Sequence, residues 1–238
     1  MSNYSLSLGR PGGASMSDQR RLNPRKQPRQ YRAELTRQRI LTAAARVFAE
    51  HGYAAGTTNR IAEQAEISIG SLYQYYPNKD AILVELMTRH LDAGAATVER
   101  LRNERLPDSL AETMRMFVRA AIENHLDDPQ LLRVMMEQTP RSAELLAKIA
   151  AHGEERVVYL QHILDRHPEV RVVDTYTAAR LVVATVELVV HHLIASHEPI
   201  EIPRFEHELT AMLFRYLSGT SPVGDPGPLE GRAAADNT

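Results

Sequence analysis

The chain has 238 residues, 43% of them hydrophobic, so it can bury a core without disulfides or a structural metal. It lacks cysteine, which excludes disulfides, zinc fingers and cysteine nucleophiles and favours a reducing cytoplasm. The formal net charge is -2, but about +7 lies between Gln19 and Arg39 and about -9 in the remainder. This division suggests a polyanion-binding end on an acidic body; the alternative is a solvated basic tail with no partner.

Both ends of the chain are rich in Gly, Pro, Ser and polar residues, whereas the middle carries apolar residues at helical spacing. We predict disorder for a basic arm, residues 1–30, and for a tail, residues 219–238. Between them we predict an all-α fold of about nine helices, divided into a three-helix domain at 31–78 and a larger helical domain at 79–218.

Helix start and stop signals divide the middle of the chain. In chain order we predict a helix from Ala33 to Glu50 with Gly52 as a left-handed cap, one after the N-cap Thr57, one between Ser68 and Pro77, and one from the cap Asn78 to about Asn103. After a break at Pro107 we predict a helix that carries Leu110 and ends near Leu126, then one from Asp128 and Pro129, and one from Pro140 and Ser142. The last two run from about Thr175 to Ser196 and from Pro203 to a point before Gly219.

The second and third predicted helices are short and close together. Their N-caps, Thr57 and Ser68, are only eleven residues apart, so the two helices must cross at a steep angle. Ile67 and Leu72 lie on either side of the second cap and form a hydrophobic staple that fixes how the chain enters the third helix. This spacing is typical of a helix-turn-helix, whose second helix enters the major groove of DNA.

Within the third helix we predict an outer face toward DNA and an inner face, Leu72 and Tyr76, toward the core. Gly70 would allow close approach of the backbone, and the hydroxyl groups of Tyr73 and Tyr75 could bind phosphates. The alternative for these two tyrosines is ordinary packing. The residues at the DNA-facing end of the helix are Ser68, Ile69, Gly70 and Ser71.

About 60 residues resemble the N-terminal domain of the TetR family of transcriptional regulators. The resemblance rests on three segments in the family's order and spacing: RILTAAARVFAEHGY, TTNRIAE and ISIGSLYQYYPNKDAIL. It implies that Lys79 pairs with a phosphate and that the start of the second helix contacts DNA. The predicted DNA-binding set is Thr57, Thr58, Asn59, Ser68, Ile69, Gly70, Ser71, Tyr73, Tyr75 and Lys79.

Two departures from the family pattern are present. Gln74 and Tyr75 stand where relatives often have an aromatic residue followed by histidine, which would alter the bases that are read. Glu66 stands where glycine is usual; a left-handed conformation costs a longer side chain about 1 kcal/mol, so we expect a slightly different turn.

In the larger domain the resemblance implies a pocket enclosed by the fourth to seventh helices and a homodimer formed by helices at about 175–196 and 203–218. Candidate ligand-binding residues are Phe117, Met135, Met136 and Tyr159, because methionine adapts to apolar shapes and tyrosine adds one polar group. The alternative is that all four are core residues.

The predicted function is that of a cytoplasmic repressor that binds palindromic operator DNA as a homodimer and is released by a small, largely apolar ligand. The long fourth helix would tilt on ligand binding and change the separation of the two recognition helices. The alternatives are a DNA-binding regulator without a ligand and an enzyme. Motifs typical of nucleotide, dinucleotide and hydrolase sites are missing from the sequence, so we predict neither a cofactor nor enzyme activity.

The sequence also raises a metal hypothesis, since His191, His192 and His197 lie close to Glu187 in the chain. Adjacent histidines on a helix point in different directions, and no two histidines have i, i+4 spacing. We therefore predict an interface or surface role for these residues and no metal site. The apolar run from Leu181 to Ala195 is interrupted by Glu187 and two of these histidines, so no membrane span is predicted either.

Overall fold

The computed structural model describes residues 28–196, 198 and 200–219, and these residues form nine α-helices without a strand. The all-α prediction is confirmed. The helices are α1 Pro28–Ala55, α2 Thr58–Gln64, α3 Ile69–Tyr73, α4 Lys79–Arg102, α5 Leu110–Glu123, α6 Pro129–Gln138, α7 Ala143–Leu164, α8 Thr175–Ile194 and α9 Ile202–Ser218.

Of the described residues, 28–39 belong to one unit of the chain and the residues from 40 onward to another. The helix-turn-helix and the helices that follow belong to the second unit. Nearly all of the predicted arm and tail, residues 1–30 and 219–238, lies outside the described residues, as does His197.

Two glycines shape the end of α1. Gly52 has φ 71° and ψ 175°, a backbone conformation that favours glycine, and it kinks α1 before the helix ends at Ala55. A Cβ atom at Gly56 would lie 2.6 Å from the ring of Phe48. Only glycine therefore allows the chain to turn closely over α1 toward α2. The predicted helix end at Glu50 falls short of the observed end because helical structure resumes after the kink.

Predicted caps begin three of the longer helices. The side chains of Asn78, Asp128 and Ser142 each accept a hydrogen bond from the backbone N–H three residues ahead, and Pro129 occupies the first turn of α6. The start of α5 is stabilised differently, since the carboxylate of Glu169 accepts a hydrogen bond of 2.7 Å from the N–H of Leu110. Glu169 lies 59 residues from Leu110 in the chain, so the sequence around α5 does not predict this cap.

The C-terminal helices pack into a bundle. α5 packs on α8 and α9, α7 packs on α8 and α4, and α6 contacts α4. The fully buried side chains of Leu110, Met114 and Val118 place one face of α5 in the core. This arrangement surrounds α8 with other helices on one side and directs the middle of α4 toward α7.

The two faces of α8 differ. Ala178, Val182, Val186 and Val190 recur every four residues and are buried, whereas Leu181 and Leu188 are exposed large apolar side chains. By length and composition α8 could cross a membrane, but 33% of its apolar stretch is buried among the other helices. Apolar residues on both faces are as expected for a helix that contacts a second surface.

Candidate DNA-binding surface and ligand cavity

Two side-chain caps hold the helix-turn-helix. Thr57 Oγ1 accepts a hydrogen bond of 3.3 Å from the N–H of Arg60, and Ser68 Oγ accepts one of 3.1 Å from the N–H of Ser71. Both predicted N-caps are confirmed. Capping uses an oxygen lone pair, so each hydroxyl retains its hydrogen for donation to a phosphate.

α3 has an inner and an outer face. Leu72 is fully buried and Tyr76 is 4% exposed, as predicted for residues that face the core. On the outer face, Ile69 is 37% exposed and Tyr73 is 51% exposed. Because the inner residues are anchored in the core, the outer side chains are presented on a fixed backbone. Further exposed members of the predicted DNA-binding set are Thr57, Asn59, Ser68 and Gly70.

A hydrogen bond connects α2 to α3 within this surface. Thr58 Oγ1 and the hydroxyl of Tyr73 lie 3.2 Å apart, which brings two predicted DNA-binding residues together across the turn. Tyr75 is half-buried and packs partly against the core. The alternative of a packing aromatic therefore describes Tyr75 better than Tyr73.

The turn between α2 and α3 corrects one expectation. Glu66 has φ 53°, so it takes the left-handed conformation itself. The expectation of a different turn, based on the cost to a longer side chain, was wrong. The backbone N–H groups of Glu66 and Ile67 donate to carbonyls in α2, at Glu63 and Ala62, and these bonds offset the cost of the conformation.

Lys79 is held at the start of α4. Its Nζ donates a hydrogen bond of 2.7 Å to the carbonyl oxygen of Tyr53 and lies 3.9 Å from the centre of the Tyr53 ring. The Tyr53 hydroxyl in turn donates to the carboxylate of Asp80. Tyr53 thus positions the predicted phosphate-binding lysine, a role that the sequence analysis missed.

A cavity of about 230 Å³ lies in the bundle and is lined mostly by apolar residues of α4, α5, α7 and α8. Of the predicted ligand-binding residues, Phe117, Met136 and Tyr159 line this cavity. Met135 is buried and lines a neighbouring cavity between α4, α5 and α6. The rings of Phe117 and Tyr159 meet edge to face with centroids 6.0 Å apart.

Polar side chains cluster at one part of the cavity wall. Arg156 of α7 forms an ion pair with Glu187 of α8, and both line the cavity. His90, His125 and His191 line it as well. The members of this polar group come from distant segments of the chain, so local sequence patterns do not predict it.

The three histidines contact one another. His125 Nε2 and His191 Nε2 lie 2.6 Å apart, and the His90 ring centroid lies 4.8 Å from that of His125. Burial, followed by the neighbouring histidines and Arg156, lowers the pKa of His90 to about 4 and of His191 to about 3. The pKa of His125 is lowered too, mainly by burial. All three imidazoles are therefore neutral at pH 7.

The fold and the outward-facing helix-turn-helix define the class of protein: an all-helical, helix-turn-helix transcriptional regulator. Two family models match the chain in sequence order. "Bacterial regulatory proteins, tetR family" matches residues 40–86, and "Tetracyclin repressor-like, C-terminal domain" matches residues 109–217. Together they span about two thirds of the chain, and the chain belongs to the TetR family.

Individual relatives agree with this assignment. The transcriptional regulator HbdR of Aromatoleum sp. is 37% identical over 67 residues, which are 28% of this chain and 29% of the relative. The fatty acid degradation regulator FadR of Bacillus halodurans has a similar fold, with 22% identity and a TM-score of 0.59 over 75% of this chain and 94% of FadR. FadR of Bacillus subtilis, solved with stearoyl-CoA, is 20% identical and has a TM-score of 0.58. The match covers 74% of this chain and 97% of that FadR.

The extent of these matches differs. The chain spans less than half of the curated relatives HbdR and RutR of Escherichia coli, whereas it spans nearly all of the two FadR structures. At 20–22% identity, the likeness to the FadR structures is one of fold.

Proposed function

We propose that the protein is a cytoplasmic transcriptional repressor that binds palindromic operator DNA as a homodimer and is released by a small, largely apolar ligand. The observation that carries this proposal is the two-faced α3. Its inner residue Leu72 is fully buried, while Ile69, Gly70 and Tyr73 are exposed on the opposite face. On a helix whose inner face is anchored in the core, an exposed face with isoleucine, tyrosine and glycine suits contact with a DNA groove.

The DNA contacts follow from side-chain chemistry. Gly70 lets the backbone approach DNA closely, and Ile69 supplies an apolar contact for a thymine methyl group. Tyr73, supported by Thr58, donates its hydroxyl to a phosphate. Lys79, whose Nζ is held by the carbonyl oxygen of Tyr53, would bind a phosphate at the start of α4 with its remaining N–H groups. The remaining members of the proposed surface are Thr57, Asn59, Ser68, Ser71 and Tyr75.

The proposed dimer uses the exposed faces of α8 and α9. On α8 the exposed positions Thr177, Leu181, Ala184 and Leu188 form one stripe, and on α9 Met212 and Tyr216 are exposed. Two copies of these helices would form a four-helix contact that covers the stripe. Dimerisation presents two recognition helices, which a palindromic operator requires.

The proposed ligand site is the cavity within the bundle. Its lining, which includes Phe117, Met136 and Tyr159, suits an apolar body, and the Arg156–Glu187 pair offers a polar end. FadR of Bacillus subtilis, with a similar fold, was solved with stearoyl-CoA, which supports an apolar ligand class for this chain. Thermal unfolding with a panel of lipophilic compounds tests the site, because a ligand at 100 times its dissociation constant adds about 2.7 kcal/mol of stability.

Coupling between ligand and DNA would run through α4. This helix begins at Lys79 in the DNA-binding surface and lines the cavity from Met87 to Leu101. A ligand that tilts α4 would move the recognition helices away from the separation of about 34–36 Å that two half-sites on one face of DNA require. A coupling of about 1–3 kcal/mol is typical of such regulators.

Selection of duplexes from a random pool by the purified full-length chain tests the proposal. We expect enrichment of a palindromic sequence and binding of two chains per duplex. A variant with Ile69→Ala and Tyr73→Ala should lose most of this affinity, whereas Val158→Ala, exposed on α7, should not. Equal binding of all duplexes at moderate salt would contradict the proposal.

A further inference from the structure

Three histidines from separate parts of the chain converge at the cavity. His90 lies in α4, His125 follows α5, and His191 lies in α8. One ring nitrogen from each lies within 4.8 Å of the other two. His125 Nε2 and His191 Nε2 are 2.6 Å apart, and the ring centroids of His90 and His191 are 6.1 Å apart. Three imidazoles facing one point is an arrangement that binds transition metals.

The chemistry of these rings suits a metal. The three imidazoles are partly buried and contact one another, and a neutral imidazole donates a nitrogen lone pair to a metal. A neutral cluster of this kind gains little from contact with its own members, since only one N–H···N hydrogen bond can join His125 to His191.

A backbone contact fixes the tautomer of His125. Its Nδ1 lies 2.5 Å from the carbonyl oxygen of Ala121. A carbonyl can only accept, so Nδ1 carries the hydrogen and Nε2, which faces His191, has the free lone pair. Metal-binding histidines commonly donate their second ring N–H to a backbone carbonyl in this way, which orients the ring.

We propose that His90, His125 and His191 bind one divalent first-row transition metal ion, with Zn²⁺ as the preferred ion, at the wall of the ligand cavity. With zinc–nitrogen bonds of about 2.0–2.1 Å, a tetrahedral site needs nitrogens about 3.3 Å apart. The ion would move His125 and His191 slightly apart and draw His90 closer, by side-chain rotation. The fourth position opens into the cavity, where water or a donor atom of a ligand completes the shell.

The charges around this site balance. Arg156 lies close enough to lower the pKa of each histidine and would also repel a cation. Its guanidinium is paired with Glu187, one helical turn before His191 on α8. Because this carboxylate offsets the arginine charge, the metal does not face an unpaired positive group.

The site differs from the cluster considered from the sequence. His191 takes part, but His192, the next residue, is exposed and lines another cavity with Leu188 and Arg133. The prediction of no metal rested on spacing along one helix. It did not consider histidines 66 residues apart, such as His125 and His191.

Metal binding would also affect the proposed regulation, a consequence that rests on the proposed function. An ion at this site joins α4, which begins in the DNA-binding surface, to α8, which we place in the dimer. Such a link would restrict the tilt of α4 and so change operator affinity. Metal binding itself is measured without DNA, which keeps the two proposals separable.

The test is a cobalt titration of the full-length, tag-free protein after chelator treatment and removal of the chelator. We expect one Co²⁺ per chain with the visible absorption of a tetrahedral site, and its displacement by one equivalent of Zn²⁺. His125→Ala and His191→Ala should each weaken zinc binding by about 100-fold. His192→Ala, an exposed neighbour, should leave it unchanged.

Circular dichroism of each variant and the metal-dependent melting temperature of the unchanged protein accompany the titration. A zinc-induced rise in melting temperature that His90→Ala removes supports the site. No stoichiometric metal binding by the unchanged protein, or equal losses in His192→Ala, would overturn it. Retained operator binding by a protein that binds no metal would overturn this inference and leave the proposed function standing.

Discussion

The proposed DNA-binding surface and the histidine-lined cavity are built in different ways. The surface comes from one stretch between Thr57 and Lys79, in which the caps Thr57 and Ser68 begin the two short helices. The cavity is assembled from α4, α5, α7 and α8, whose contributing residues are separated by long segments. Local spacing therefore specifies the surface, whereas only tertiary packing brings the cavity residues together.

The two regions also differ in how function and stability are related. The outer side chains of α3 are exposed and contribute little to the core, so substitutions there should change DNA binding alone. The polar residues of the cavity are partly buried and contact one another, so substitutions there should change stability as well. Substitutions on the outer face of α3 and in the cavity test this difference.

The largest effect should come from the inner face of α3, where a substitution should lower both stability and DNA binding. Leu72→Ala removes a fully buried side chain and should lower the free energy of unfolding by about 3 kcal/mol. DNA binding should fall with it, because the outer face loses its anchor. Urea unfolding measures the loss, and Tyr73→Ala is the control, with DNA binding reduced and stability nearly unchanged. A stable Leu72→Ala protein would contradict the two-faced description.

A smaller loss is expected in the cavity. Arg156→Met leaves the carboxylate of Glu187 without its cation in a partly buried position and should cost about 2 kcal/mol, less than a fully buried pair would. Adding Glu187→Gln should restore most of this stability, which a double-mutant cycle by urea unfolding measures. Operator affinity of the folded protein should not change. An equal loss in Arg156→Met and in the double variant would show that the unpaired carboxylate of Glu187 is not the source of the loss.

Gly70→Ala should lower DNA affinity without lowering stability, the opposite of Arg156→Met. A Cβ at Gly70 would meet only Ser68 Oγ, at 4.0 Å, so the fold does not require glycine there. Alanine favours helix and should raise stability by up to about 1 kcal/mol, while operator affinity falls about tenfold, or about 1.4 kcal/mol.

Gly153→Ala is the matched control for that experiment. Gly153 lies within α7, and a Cβ there meets nothing within 4 Å. It should bring the same gain in thermal stability without any change in DNA affinity by gel shift. Unchanged affinity in Gly70→Ala would remove the close approach of this backbone from the proposed DNA contact.

These differences explain how far the sequence could predict the molecule. The caps Thr57, Ser68 and Asn78 and the buried Leu72 and Tyr76 were predicted correctly, because each depends on neighbours within a few residues. The same local rules found the all-α fold. These local rules do not predict how α5 begins, because the N–H of Leu110 is capped by the distant Glu169.

The cavity shows the limit of local rules. Helical spacing predicted that Met135 and Met136 lie on the same helix, but it does not determine which of them lines a given cavity. In the structure Met136 lines the cavity of about 230 Å³, and Met135 lines its neighbour. The convergence of His90 with His125 and His191 depends on how α4 packs against its neighbours. Spacing along the chain carries no information about that packing.

The smallest effect should come from the turn before α3. Glu66 has φ 53°, a conformation that costs a side chain with a Cβ about 1 kcal/mol or more. Glu66→Gly removes this cost but gives the unfolded chain more freedom, so the net gain should be about 0.5–1 kcal/mol, or up to about 4 °C in melting temperature. Glu66→Ala keeps the backbone cost and should bring no gain. If alanine stabilises the protein as much as glycine does, the glutamate side chain rather than the left-handed backbone is the source of the cost.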